Sequence, residues 1–205
     1  MEQGTTEWFE ARLGKVTASR VVDVIAQTKN GVSASRANYM AQLVVERITN
    51  KVEESYSNAA MAWGTEHEPM ARAEYEILRG VMVNEIGFVP HPTIKNSGAS
   101  PDGLVSIDGL IEIKCPETKA HIDTILSGEA PAKYIPQMQW QMACTGRAWC
   151  DFVSFDPRMP EDMQLFIKQV SRDNALIAEY EAEVVKFLAE VQETVDKLIQ
   201  IRRGV

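Results

Sequence analysis

Strand and helix signals alternate through the second half of this 205-residue chain, and that alternation predicts an α/β fold. Hydrophobic residues make up 45% of the sequence, enough to bury a full core without disulfides or structural metal, so residues 1–205 are expected to form one domain. The segment from Asp173 to Arg203 carries apolar residues at Ile177, Tyr180, Val184, Phe187 or Leu188, Val191, Val195 and Leu198. This three-then-four repeat predicts a long terminal helix, suited either to a short coiled coil between subunits or to packing against the chain's own sheet.

Taken in order, Glu7 to Arg12 reads as a short helix, and Leu13 to Ser19 as a turn into a second helix capped by Thr17 or Ser19. Hydroxyls at a helix start, with Arg12, Lys15 and Arg20 nearby, can hold a phosphate; the plainer reading is a capped helix with solvated cations. Gln27 to Ser33 reads as a polar loop. Ser35 to Asn50 places Tyr39, Met40, Leu43, Val44 and Ile48 on one helical face, and Lys51 to Asn58 is a polar connector. Thr65-x-x-Glu68 is a capping box opening a helix that runs to Arg79 and stops at Gly80; the other reading makes Glu68 a carboxylate facing a metal. His67 has no second histidine at ligand spacing and is assigned no role. Val81 to His91 is strand-like with a break.

Two strands then flank Ser106-Ile107-Asp108-Gly109, whose Asp-Gly predicts a hairpin turn. Helices follow over Lys119 to Leu126 and Lys133 to Thr145; in the second, Gln137, Gln139 and Gln141 are expected to face solvent. Trp149 to Phe155 and Gln164 to Val170 are strands joined at Asp156-Pro157-Arg158.

The net charge of −8 argues against a protein that coats nucleic acid non-specifically, yet an acidic metal enzyme can still line one groove with positive charge. Cys115, Cys144 and Cys150 contain no Cys-x-x-Cys pair, which predicts reduced thiols rather than a disulfide framework, zinc or iron–sulfur site. No apolar run has membrane-spanning length and the start lacks the order of a signal peptide, so a cytoplasmic location is expected.

The chemistry concentrates in the hairpin. In Leu110-Ile111-Glu112-Ile113-Lys114, period two puts Glu112 and Lys114 on one face and Ile111 and Ile113 on the other, with Asp102 in the partner segment Ser100-Pro101-Asp102-Gly103. The plain alternative is a second turn at Asp102 and a solvent-facing Glu112–Lys114 pair. Charges inside an apolar strand need partners, which favours a site. Oxygen ligands suit Mg²⁺ or Mn²⁺ over zinc. Asp102, Glu112 and the carbonyl of Ile113 are candidates for one ion, Glu68 for a second, and Lys114 for orienting the attacking water or taking its proton; the reaction would be metal-assisted phosphodiester hydrolysis.

Ser100-Pro-Asp-Gly103 with Glu112-Ile-Lys114 matches the PD-(D/E)XK nuclease signature. Trp8, Arg12 to Ser19, Ala62-Trp-Gly64 through Glu68, Glu112 to Pro116, Gln137-Met-Gln139 and Asp156-Pro-Arg-Met159 follow in the order that resembles phage lambda exonuclease and its alkaline-exonuclease, YqaJ-like viral recombinase relatives, over about the first 160 residues. The resemblance implies a central mixed sheet flanked by helices. It implies a Mg²⁺-dependent 5′→3′ exonuclease that degrades one strand of linear duplex DNA to mononucleotides, leaving single strands for an annealing protein, in phage or prophage within a bacterial cytoplasm. It implies Arg12, Ser19 and Thr17 at the 5′ phosphate, Gln139 near the scissile strand, Met61 as a strand wedge, and a homotrimer ring. The alternatives are a structure-specific endonuclease of the same fold and a non-catalytic module that binds DNA ends.

Overall fold

The computed structural model describes residues 1–28, 31–52 and 59–204. Helix α1 (Thr6–Arg12) starts where the Thr5 hydroxyl accepts from Trp8 N. Strand β1 (Val16–Thr17) then passes through a 3-10 turn (Ala18–Arg20) into α2 (Val21–Ile25). Neither expected cap forms. Thr17 makes no side-chain cap bond and Arg20 occupies the cap position of α2, because Val16 and Thr17 are drawn into strand pairing with Ser97 and Gly98.

The polar loop expected over 27–33 is instead a ribbon of β2 (Gln27–Thr28) and β3 (Gly31–Val32), with 29 and 30 outside the described residues. Helix α3 (Ala34–Thr49) begins at Ser33, whose hydroxyl accepts from Arg36 N, and ends at Asn50 with φ 52°. From residue 53 on, the expected connector lies outside the described residues.

Helix α4 (Ala59–Arg79) runs unbroken through Pro69, which corrects the capping box. Thr65 is a mid-helix residue donating its hydroxyl to Met61 O at 3.1 Å, and Glu68 turns to Arg72. Packing of Ala71 and Tyr75 into the core outweighs the roughly 3 kcal/mol that an interior proline costs. Gly80, at φ 64°, ends the helix as the sequence predicts.

The strand signal over 81–91 divides at its break into β4 (Val83–Asn84) and β5 (Val89–Pro90), which join different sheets. Next come β6 (Ser97–Ala99), β7 (Gly103–Val105), β8 (Gly109–Lys114), α5 (Thr118–Ser127), a 3-10 turn (Ala132–Tyr134) and α6 (Ile135–Thr145). The chain closes with β9 (Trp149–Phe155), β10 (Leu165–Ser171) and α7 (Asn174–Arg203).

The main sheet has the order β10-β9-β8-β7-β4 and is mixed, with β8 and β9 parallel and the other pairs antiparallel. A smaller sheet orders β1-β6-β5. Period two in β8 serves two helices at once. Ile111 and Ile113 pack with Val153 and Phe155 against Ala71 and Tyr75 of α4, while Leu110 packs with Cys150 and Phe152 against Met138 and Met142 of α6. This is the helix-flanked mixed sheet with a long C-terminal helix that the resemblance implies.

The terminal helix settles its two readings. Ile177, Tyr180, Val184, Phe187, Val191 and Val195 are buried. They pack with Val21, Val24, Tyr39, Leu43 and Trp140, so the stripe meets α2, α3 and α6 rather than the main sheet or a second subunit.

Candidate active site

The β7–β8 hairpin pairs Gly103 with Ile111 and Val105 with Gly109. The positive φ falls on Ser106, at 53°, whereas Gly109 is already in the strand. Its absent side chain serves close packing: a Cβ there would stand 2.1 Å from Trp149 Cζ2. Asp102 precedes β7, and its Oδ2 accepts from Ile113 N at 2.7 Å, tying the acid to the strand that carries Glu112.

Glu112 is fully buried, and among the described residues its carboxylate is met by one ammonium and two amides. Oε1 accepts from Lys114 Nζ and from Gln137 Nε2, each at 2.5 Å, and Oε2 accepts from Gln141 Nε2 at 2.6 Å. Such saturation lets a carboxylate remain in the interior. Gln141 is itself buried, and its Oε1 has no hydrogen-bond partner among the described residues.

The solvent-facing glutamines expected from sequence are thereby corrected, and so is the choice among them. Gln139 is buried elsewhere, its amide donating to Ser171 O at 2.8 Å and accepting from Asp173 N at 2.9 Å. Gln137 and Gln141 reach Glu112 instead. Their i, i+4 spacing was visible; the missing signal was that Met138, Trp140, Met142 and Cys144 leave this helix almost no wet face.

Glu68 enters from α4, with its Oε1 2.5 Å from Arg72 Nη2; Arg72 also reaches Glu85 Oε1 at 2.8 Å. Arg72 is a further residue that sequence reasoning missed. Burial, followed by the charge of Glu112, pushes Asp102 well above the usual carboxylate range, and burial raises Glu68 despite Arg72. For Lys114, burial acts downward but Glu112 and Asp102 outweigh it, holding the ammonium above its ordinary value. As arranged here, Lys114 is a hydrogen-bond donor to Glu112.

Carboxylates that repel one another in a dry pocket are suited to a hard divalent cation, which relieves the repulsion. Among the described residues no three His, Cys, Asp or Glu side chains are gathered in metal-holding geometry. A set of two carboxylates, one backbone carbonyl and water does not require three. Asp102, Glu112 and Ile113 O are the groups that could make up such a set once Lys114, Gln137 or Gln141 gives way at Glu112, and the charges of Glu112 and Lys114 also act on Glu68.

A cavity of ≈730 Å³ joins this cluster to the start of the chain, reaching Asp102 and Glu68 as well as Arg12, Thr17, Ser19 and Met61. Arg12 stacks 4.0 Å over Trp8, and both donate to Ser100 Oγ at 3.0 Å, two residues before Asp102. Among the described residues Arg12 enters no salt bridge, and burial lowers its pKa from the ordinary value. A half-buried guanidinium whose hydrogen bond goes to a neutral hydroxyl can take an incoming anion, although the charge of Glu46 also acts on it. Ser19 is exposed and Thr17 buried. Met61 lines the same cavity and is 51% exposed. His67 stacks on Trp63 at 3.7 Å, with its Nδ1 2.9 Å from Trp63 O, and Arg158 covers the same indole, so the histidine belongs to a packing stack.

A family model described as the YqaJ-like viral recombinase domain matches residues 7–148. An alkaline exonuclease from Laribacter hongkongensis is 57% identical, with a TM-score of 0.91 covering 98% of this chain and 99% of that one. Its complex with dAMP matches over the same shares, at 57% identity and a TM-score of 0.92. A phage-related exonuclease from Haemophilus somnus, 17% identical over 92% of this chain and 96% of its own, has a TM-score of 0.66 and shares the fold. No curated protein matches the chain significantly.

Proposed function

The chain belongs to the YqaJ-like viral recombinase family and is a nuclease, and from that premise we propose that it is a Mg²⁺-dependent 5′→3′ exonuclease acting on linear duplex DNA. It removes mononucleotides from one strand and leaves a 3′ single strand for a single-strand-annealing protein. The observation that carries this is the continuity of one cavity from half-buried Arg12 to Asp102 and Glu68. An anion site in the cavity that ends at the cutting cluster would select an end bearing a 5′ phosphate. That a mononucleotide, dAMP, was bound by the Laribacter hongkongensis relative accords with mononucleotide release here.

Arg12, with Ser19 and Thr17, holds the terminal phosphate and so places the next phosphodiester over the hairpin. Met61 keeps the end frayed by standing between the strands. Asp102, Glu112 and Ile113 O would hold one ion and Glu68 would help hold a second. When bound, Mg²⁺, or Mn²⁺ in its place, supplies an acidified water and neutralises charge on the leaving oxygen. Lys114 orients the water and donates toward the phosphate. Gln137 and Gln141 hold Glu112 in place.

Residues 1–205 act as one catalytic domain in the bacterial cytoplasm, in a phage or prophage setting. Three copies form a ring, so that topology retains DNA which the acidic subunit would not hold by charge. Light scattering with and without DNA tests the ring, and a monomer in both would dismiss it.

The deciding experiment digests linear duplexes with 5′-phosphate or 5′-hydroxyl ends, and closed circles, in Mg²⁺ or EDTA. We expect mononucleotides from phosphorylated ends only, and loss of that preference in Arg12→Ala. Equal attack on both ends by the wild type, or cutting of closed circles, would overturn the reading.

A further inference from the structure

A second cavity, of ≈340 Å³, is lined by Lys114, Thr124, Lys133, Tyr134, Phe152 and Ser154 among others. The two cavities lie on either side of the carboxylate cluster: the first reaches Asp102 and the second Lys114, and Asp102 accepts at 2.7 Å from the N–H of Ile113, the residue before Lys114. Its size lies at the small end for ligand pockets, suiting one nucleotide rather than a duplex.

Its chemistry is that of a stacking platform beside cations. The Tyr134 ring is backed by Phe152 at 5.5 Å, with Lys114 Nζ at 5.3 Å and Lys133 Nζ at 4.8 Å from its centroid. Among the described residues Lys133 forms no salt bridge, although the chain carries a net charge of −8. An aromatic ring beside a lysine that no carboxylate holds is the pairing by which proteins hold a base and its phosphate without reading sequence.

We propose that this cavity seats the nucleotide immediately 3′ of the cut, its base against Tyr134 and its 3′ phosphate on Lys133. The inference rests on the 5′-end reading above. With the terminal phosphate on Arg12 and the scissile bond over Asp102 and Glu112, the strand beyond the bond continues past Lys114, where this cavity opens. The terminal nucleotide occupies the large cavity and leaves as product; its neighbour in the small one keeps the strand in register for the next cycle.

The test is photo-crosslinking of 5′-phosphorylated duplexes carrying 4-thiothymidine at the first, second or fourth nucleotide, with Ca²⁺ in place of Mg²⁺ and the crosslinked peptides mapped. The second nucleotide is expected on the peptide containing Lys133 and Tyr134, and the first on peptides lining the Arg12 cavity. If the first reaches the Arg12 cavity while the second maps elsewhere, the seat is refuted and the 5′-end reading stands. If the first does not reach that cavity, the 5′-end reading falls and this inference with it.

Two variants add an independent readout. Lys133→Ala should flatten the slope of log binding constant against log salt by about 0.9, the loss of one phosphate contact, without weakening dAMP binding; an unchanged slope refutes the contact. Tyr134→Leu should weaken duplex binding about tenfold through lost stacking, and unaltered binding by a folded variant counts against the seat.

Discussion

Glu112 shows how much one side chain can demand of its surroundings. A carboxylate with no solvent exposure is accommodated because a lysine and two glutamines donate to it. Gln141→Leu should therefore lower Mg²⁺ affinity by about 10–100-fold, the usual cost of losing a partner behind a metal ligand, measurable by Mn²⁺ titration as well as by activity. Gln139→Leu, which breaks only the bridge to Ser171 and Asp173, should reduce stability and leave metal affinity alone. Asp156 offers a different test. Burial pushes its pKa up, but hydrogen bonds from Arg158 and Thr118 outweigh it and set the acid below its ordinary value of 3.8. The charged form thus contributes stability that is fully present above about pH 4 and fades as pH falls through the lowered value. Thermal melts should show Asp156→Asn less stable than wild type at neutral pH, with the gap closing in acid.

Among elements, the hairpin and α4 reveal what local signals carry. The hairpin was legible because strand alternation and the Asp-Gly pair agree, yet Gly109 is needed for Trp149 rather than for the turn. Gly109→Ala should destabilise the protein by about 1–3 kcal/mol through overpacking, read by urea unfolding, although the backbone there suits any residue. In α4 the Thr65–Glu68 spacing imitates a helix start. The signal is sound chemistry in the wrong place, since Ala71 and Tyr75 bury the helix on the sheet and Thr65 finds Met61 O within it. Splitting of the 81–91 strand between two sheets was visible only as an irregularity in the apolar pattern, because sheet membership depends on partners far along the chain.

For the molecule as a whole, the cavity that ends at Asp102 mixes both signs: Arg12, Lys15 and Arg20 stand toward the start of the chain, and Glu68 and Asp102 at the carboxylate cluster. Its stability leans on α7, whose stripe is spent on the chain's own helices. Phe187→Ala, opening a hole against Tyr39 at the centre of that stripe, should cost about 3–5 kcal/mol. Because the contact is internal, the drop in melting temperature relative to wild type should be the same at every protein concentration; a difference that grows on dilution would place the stripe in a subunit contact.

By itself the sequence determined the fold class, the identity of the hairpin charges and the family, since these rest on period-two and helical spacing and on short runs of chemically distinctive residues such as Ser100 to Gly103 and Glu112 to Lys114. Tertiary structure alone decided which glutamines meet Glu112, that Arg12 and Asp102 share a cavity through Ser100, and where the apolar stripe of α7 is buried. Periodicity says which face a residue occupies. Only packing says what lies opposite that face, and a buried charge takes its chemistry from what lies opposite.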